Sequence, residues 1–461
     1  MFRKYFGDRA FYQRVIAVAL PIIIQNGIGN FVSLLDNIMV GQVGQNPMSG
    51  VSIVNQLIFV FNLCIFGATS GAGIFTAQFH GSGDQAGIRH TFRFKLLVGL
   101  LLTTLGVGVF LTLGKTLIGV YLSGEGDPAD AAAILEYGWA YLLVMLWGLP
   151  AFAISNAYAG TLRESGQTLV PMIASTSAVF VNLFFNWVLI FGNLGAPVLG
   201  VQGAAIATVF SRYVELAVVA LWTHLHGKQM PFIRVAYRSM AIPGALLKRI
   251  ILKGMPLLVN EALWSIGMVT LNQCYSTRGL DVVPAQNISS TIYNLSSVVY
   301  LAMGNAVGII IGQMLGAGKG EEEVRDTDRK LIMASVLSCL LFGALMAAIS
   351  GAFPLLYDTT EAVRTLATQL ILISALFLPF NAYTNAAYFT LRSGGQTLVT
   401  FLFDSFFVWV FCVPLAFILS RCTSLPILPL YFICCSTDLV KCAIGAIMIK
   451  QGKWIQNLTQ A

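Results

Sequence analysis

Twelve apolar stretches separated by short polar gaps recur along the 461 residues. They run over 15–40, 51–79, 96–121, 133–157, 169–192 and 201–226, and then over 250–276, 285–315, 330–356, 362–388, 397–420 and 425–449. About 20 mostly apolar residues in an α-helix cross a hydrocarbon layer about 30 Å thick, so each stretch predicts one transmembrane helix. The longer ones are accommodated by tilt. The first carries Asp36 and lacks an Ala-x-Ala exit, which predicts a retained helix rather than a cleaved signal peptide.

The twelve predicted helices form two related sixes. Thr161-Leu-Arg-Glu-Ser-Gly-Gln-Thr-Leu-Val170 and Thr390-Leu-Arg-Ser-Gly-Gly-Gln-Thr-Leu-Val399 agree at eight of ten positions, and Asn156-Ala157 precedes the first as Asn385-Ala386 precedes the second. A further match pairs Pro21 with Pro256, and Gln78, Gly81 and Gly83 with Gln313, Gly316 and Gly318. The expected architecture is therefore an all-α integral membrane protein of two pseudo-symmetric lobes. The N-lobe covers 1–226, a cytoplasmic linker with Pro231 and Pro243 covers 227–249, and the C-lobe covers 250–461. Six spans per lobe, an even number, set both copies the same way up, an arrangement suited to alternating access between lobes. Gly67, Gly71, Gly73, Gly304, Gly308 and Gly312 read as close helix packing.

Composition agrees: 57% of residues are hydrophobic and only 10% charged, against about 25% charged in a soluble domain. The net charge of +7 is a matter of orientation. Basic residues crowd the segments on one side, from Arg3, Lys4, Arg9 and Arg14 through Arg89, Arg93 and Lys95 to Lys450 and Lys453, while the other side holds Lys115, Arg278, Arg364 and Arg421. The positive-inside rule then puts both termini in the cytoplasm. The lipid bilayer is the expected partner, and no basic stripe with interleaved aromatics calls for nucleic acid. The eight cysteines lie mostly within apolar runs without zinc or disulfide spacing and read as small packing residues.

Polar residues inside the spans carry the candidate chemistry. Asp36 is an acid within hydrocarbon, where ionisable groups mark ion or substrate paths. Asn182 and Asn186 share a helix face, and Thr208 on the next span adds a hydroxyl. Together these oxygens suit sodium or a proton as coupling ion; taken singly, the amides and hydroxyl read equally as interhelical hydrogen-bond glue. Glu261 with Trp264 reads as a site for a cationic substrate, as a second coupling site, or as a hydrogen-bonded packing acid. Pro21 and Pro256, each near the start of its lobe's first helix, are candidate conformational hinges. Asp438 and Lys441 are spaced for an ion pair within one helix, as are Arg212 and Glu215; these read as structural, with Asp404 an extra. His224-x-His226 is too little for a metal site. The Gly-rich run at 316–320 departs from a phosphate-binding loop, so no ATP chemistry, no cofactor and no enzymatic activity is expected, and an ion gradient supplies the energy.

Leu35-Asp-Asn-Ile-Met-Val-Gly41, Gln313-Met-Leu-Gly-Ala-Gly318, the paired Leu-Arg-x-x-Gly-Gln-Thr segments and Asn182 through Asn186 resemble the multidrug and toxic compound extrusion (MATE) family over essentially the whole chain. The resemblance implies a V-shaped exporter in the bacterial inner membrane, in which entering protons or sodium drive expulsion of small, often cationic organic molecules. Asp36, Asn182 and Thr208 match positions that resemble the family's N-lobe cation site. Asn186 stands where one branch has Asp, which leaves proton versus sodium open. Gln396 replaces an acid of another branch, whose seventh-span Glu also lies farther from the proline than Glu261. A monomer is expected. The runner-up is a lipid-linked oligosaccharide flippase of the related carrier group, which needs cationic residues that these spans scarcely hold.

Overall fold

The structure, a computed structural model, describes residues 5–122, 128–279 and 281–460; Arg3 and Lys4 lie outside the described residues. Described residues are helical or irregular, with no strand. The helices of the first half are α1 (Arg9–Gly41), α2 (Gln45–Ser82), α3 (Gln85–Leu122), α4 (Pro128–Met145), α5 (Gly148–Glu164), α6 (Leu169–Phe191) and α7 (Gly200–Leu225). Those of the second are α8 (Gly244–Ser276), α9 (Val282–Gly316), α10 (Glu321–Ile349), α11 (Glu361–Ser393), α12 (Thr397–Cys422) and α13 (Ile427–Gln451). Eleven are long and apolar enough to cross a membrane, and the bent pair α4–α5 makes the twelfth span.

The fourth span is thus not the single helix expected over 133–157: α4 and α5 meet at 48°. Pro150 has no N–H with which to bond the carbonyl of Leu146, so the helix breaks just upstream. The bonds of Trp147 to Val144 and of Leu149 to Leu146 there shorten to the tighter i−3 pattern. The ninth expected span, 330–356, ends earlier, at Ile349, and Phe353–Leu356 forms a separate 3₁₀ turn around Pro354. The stretch 227–249 overlaps the first turn of α8. Its chain is held by Arg93, whose guanidinium donates to the carbonyls of Ala236 (2.8 Å), Ala241 (3.0 Å) and Val235 (3.0 Å).

The chain divides into two compact units, each with its own core. Unit 1 comprises Met1–Ile23, Ala77–Gly83 and Leu252–Ala461; unit 2 comprises Ile24–Thr76 and Asp84–Ile251. In unit 2, Val54 and Ile65 of α2, Ile118 of α3, Leu142 of α4 and Ala205 of α7 are fully buried in one cluster. In unit 1 the centre is α9: 72% of its apolar window is buried, against 11% for α13.

Both repeated motifs are backbone devices. In Leu-Arg-x-x-Gly-Gln-Thr, Gly166 (φ +80°) and Gly395 (φ +75°) take the left-handed conformation that ends a helix. Gln167 N–H returns to the Leu162 carbonyl and Gln396 N–H to that of Leu391, giving α5 and α11 the same terminus. In the second motif, the two copies meet within unit 1. Gly81 sits against the Gln313 carbonyl and Gly316 against that of Gln78, so closely that a Cβ on either glycine would enter the opposing oxygen. Gln78, itself fully buried, donates to the carbonyls of Ser393 (2.9 Å) and Gln456 (3.1 Å) and accepts from Leu458 N–H (2.6 Å). It thereby fastens the C-terminal segment, where Trp454 is 1% exposed.

Candidate functional site

In unit 2, α1, α6 and α7 bring Asp36, Asn182, Asn186 and Thr208 together. Asn186 Nδ2 donates to Asp36 Oδ1 at 2.6 Å, and Asn182 reaches the Thr208 hydroxyl at 3.2 Å. Both asparagines are buried, at 5% and 1% exposure, because α6 turns its 182/186 face inward. Tyr141 OH, which donates to Asn55 Oδ1 at 3.3 Å, is a further neighbour of Thr208.

With its nitrogen turned toward Asp36, the Asn182 amide donates to that carboxylate while its oxygen accepts from Thr208 Oγ–H (3.2 Å) and N–H (3.3 Å). One end of the Asn182 amide stands 2.9 Å from Asp36 Oδ1, 3.2 Å from Oδ2 and 3.1 Å from Asn186 Nδ2. If that end is nitrogen, it suits the carboxylate but opposes another amide nitrogen. If it is oxygen, it accepts from Asn186 but abuts two carboxylate oxygens. Asn186 Oδ1 is buried with no hydrogen-bond partner, a state that costs about 1–3 kcal/mol in a protein interior. A positive charge beside Asp36 would be balanced by its carboxylate. The donor set of carboxylate, amide and hydroxyl oxygens fits a hard monovalent cation. Among the described residues no group of three or more His, Cys, Asp or Glu could hold a metal ion, which sets this site apart from a transition-metal centre.

In unit 1, Glu261 of α8 is half-buried, with Arg392 and Asp404 as its charged neighbours, and Trp264 one turn on is 39% exposed. Here the structure overturns one reading of the sequence. Lys441 does not pair with Asp438 along its own helix; its ammonium lies 2.6 Å from Asp404 Oδ1 on α12. The cause is local. Leu402–Phe406 and Val408–Cys412 are π-helical, and such widened turns redirect side chains and recur at functional sites. Asn260 completes the cluster, donating to Asp404 Oδ2 (3.1 Å) and accepting from Ser405 N–H (3.2 Å) and Oγ–H (2.7 Å). Asp404 was signalled by its charge within an apolar span, but π-turns have no sequence signature that would have placed it. Arg212 likewise lies over the Phe152 ring, 4.5 Å from its centroid, with Glu215 an electrostatic rather than a bonded neighbour. His224 and His226 serve separate partners: the first meets Tyr158 OH at 3.1 Å and the second stacks on Trp222. Pro21 and Pro256 lie inside α1 and α8. A cavity of about 730 Å³ in unit 1, lined by Phe6, Phe11, Arg14, Met314, Glu323 and Lys330 among others, holds none of the predicted site residues.

The MatE family model matches twice along the chain, over residues 21–188 and 256–418. The chain belongs to the MatE family. Each match begins at one of the paired prolines, and the two matches coincide with the two halves of the repeat. The "Probable multidrug resistance protein NorM" of Thermotoga maritima is 24% identical to this MatE chain over 448 residues, covering 96% of it and 93% of the relative. "Probable multidrug resistance protein YoeA" of Bacillus subtilis is 25% identical over 418 residues, covering 89% and 87%. A solved structure described as an outward-facing conformation of a multidrug resistance MATE family transporter shares the fold, with a TM-score of 0.85 at 21% identity and 98% coverage of both chains. The relatives are transporters of multi-pass membrane architecture, as this chain is; the flippase alternative finds no support among them.

Proposed function

We propose that this MatE protein is a secondary active exporter of small organic cations, driven by protons or sodium entering through the Asp36 site, and that it works by alternating access of an N-lobe and a C-lobe joined by a cytoplasmic linker. The observation that carries the reading is the Asp36 carboxylate set among the Asn182 and Asn186 amides and the Thr208 hydroxyl, with no basic hydrogen-bond partner among the described residues. Thr208 and the two asparagines would hold the ion beside the Asp36 carboxylate, and the ion supplies the charge whose entry and release drive the cycle. Buried carboxylates without a basic partner are costly in hydrocarbon, so a positive charge taken up there on one side of the membrane and given up on the other is a natural coupling step.

Export of drug-like compounds is proposed from the names of the relatives, which are multidrug resistance proteins. Glu261, with Trp264 offering a π face, is the proposed contact for a substrate ammonium. Pro21 and Pro256 are the proposed hinges, since each lacks the N–H that would stiffen its helix. The basic segments support cytoplasmic termini, and the inner membrane is proposed from the bacterial relatives.

The test is efflux of a fluorescent cationic dye from proteoliposomes under an imposed proton or sodium gradient, comparing wild type with Asp36→Asn. Gradient-dependent export lost in the variant supports the reading and identifies the ion. Wild-type protein that moves dye equally well with and without either gradient, or a variant that keeps its coupling, refutes it.

A further inference from the structure

Unit 1 contains a cation-shaped site that is filled by one of the protein's own side chains. The Lys441 ammonium lies 2.6 Å from Asp404 Oδ1 and 5.3 Å from the centroid of the Phe403 ring, with Asp438 a close electrostatic neighbour of both members of the pair. Its side chain is 12% exposed. The other Asp404 oxygen is pinned by Asn260, which is anchored in turn on the backbone and hydroxyl of Ser405. Two carboxylates and an aromatic face thus converge on one positive charge, a set of contacts suited to a small ammonium ion.

The charged and titratable groups around it include Tyr293 and Tyr300 of α9, near Asp438, Cys442 of α13, near Lys441, and further groups from four helices. From α13 there is Asp438; from α12, Asp404 and the Cys412 thiol; from α8, Glu261 beside Asp404; and from α11, Arg392 facing Glu261. In unit 2 the hydrogen-bond partner of the Asp36 carboxylate is an amide. In unit 1 the buried carboxylate has a tethered base.

We infer that Lys441 is a covalently attached counter-cation standing where a mobile monovalent cation would otherwise bind, so that unit 1 binds no exchangeable coupling ion and the cycle uses a single one, at Asp36. The count of one rests on the reading of Asp36 given above; the tethered cation does not. Removing the lysine stem should open a site for methylammonium, which reproduces the lost terminal fragment.

The experiment is a thermal-unfolding titration of purified protein in the Asp36→Asn background, which silences unit 2. Methylammonium chloride and sodium chloride are each titrated against N-methyl-D-glucamine chloride at constant ionic strength. Asp36→Asn alone should shift by less than about 1 °C, and Asp36→Asn/Lys441→Ala should gain a saturable rise of about 3 °C or more with methylammonium. Adding Asp404→Asn should remove that gain. If Lys441→Ala fails to give monodisperse protein, expression and purification in methylammonium should recover it. The inference is overturned if the folded double variant shows no cation-specific rise, if Asp36→Asn alone shifts as much, or if a non-folding variant is not recovered. Failure of the Asp36 reading would appear separately, as dye export in wild type that ignores both gradients.

Discussion

Asn186→Leu removes the amide beside Asp36 while keeping the branched shape of the side chain, and the direction of the effect reports which ion is coupled. The side chain does two things: its N–H donates to Asp36 Oδ1 at 2.6 Å, and its buried oxygen has no partner within the protein. A hydrogen bond to a charged group is worth about 1.5–3 kcal/mol, a factor of about 10 to 150 in an equilibrium constant. If sodium is the coupling ion, the variant loses an oxygen ligand, and the half-saturating sodium concentration for dye export should rise about 10- to 150-fold. If protons are, the loss of a donor to the ionised carboxylate favours the protonated carboxyl, and the half-saturating proton concentration should fall by a similar factor. The assay is initial-rate dye efflux from proteoliposomes as a function of external sodium at fixed pH, and of external pH without sodium. A folded variant whose dependence on both ions stays within about threefold of wild type would refute the assignment of Asn186 to the coupling site and leave it as helix glue.

Three further outcomes concern the scaffold. Gln78→Met strips partners from the Ser393 and Gln456 carbonyls and the Leu458 N–H; at about 1 kcal/mol or more for each orphaned group, the melting temperature read with a thiol-reactive dye on the buried cysteines should drop by roughly 3 °C or more, and a fall under about 1 °C would show that the C-terminal segment is not fastened there. Gly316→Ala drives a Cβ into the Gln78 carbonyl, where neither backbone can retreat, so monodisperse yield in size-exclusion chromatography should collapse, whereas Gly318→Ala, with open space around it but a φ of +66°, should cost only about 1 kcal/mol. Glu164→Gln leaves Lys95, 1% exposed, without the carboxylate that it meets in unit 2; breaking a buried pair costs about 3–5 kcal/mol, so thermal stability should fall clearly more than for Glu323→Gln, whose pair with Lys319 is exposed.

The twelve spans were legible because hydrocarbon imposes a length and an apolar composition that the chain carries openly. The Asp36 cluster was legible in part: an acid is rare within the spans, the spacing on α6 puts Asn182 and Asn186 on one face, and the family resemblance supplied the grouping with Thr208. What escaped was backbone detail. The 48° break between α4 and α5 lies in a stretch whose hydropathy never falters, and only Pro150 hints at it. The pairing of Lys441 was misread for a similar reason. Spacing along a regular helix favours Asp438, but the choice is made by the π-turns of α12, which present Asp404 to α13 and which no periodicity announces.

The two sequence repeats and the two charge clusters follow different rules, and this separates scaffold from chemistry. Where the halves agree, the residues are glycines and glutamines fixing backbone geometry: the left-handed Gly166 and Gly395 end equivalent helices, and Gln78–Gly81 and Gln313–Gly316 rest on each other's carbonyls. Gly81 and Gly316 leave no room for a Cβ, and Gly166 and Gly395 take a positive φ that most other residues rarely adopt. The buried acids of the two halves, by contrast, keep different company. Asp36 has amide and hydroxyl groups around it and, among the described residues, no basic hydrogen-bond partner, whereas Asp404 has Lys441 at 2.6 Å. A carboxylate with a tethered base is already neutralised and gains little from a passing ion; one held by amides is not. The asymmetry of the two clusters is thus the ground for proposing ion exchange in unit 2 and a substrate cation on the Glu261 side of unit 1, where Arg392 is a charged neighbour.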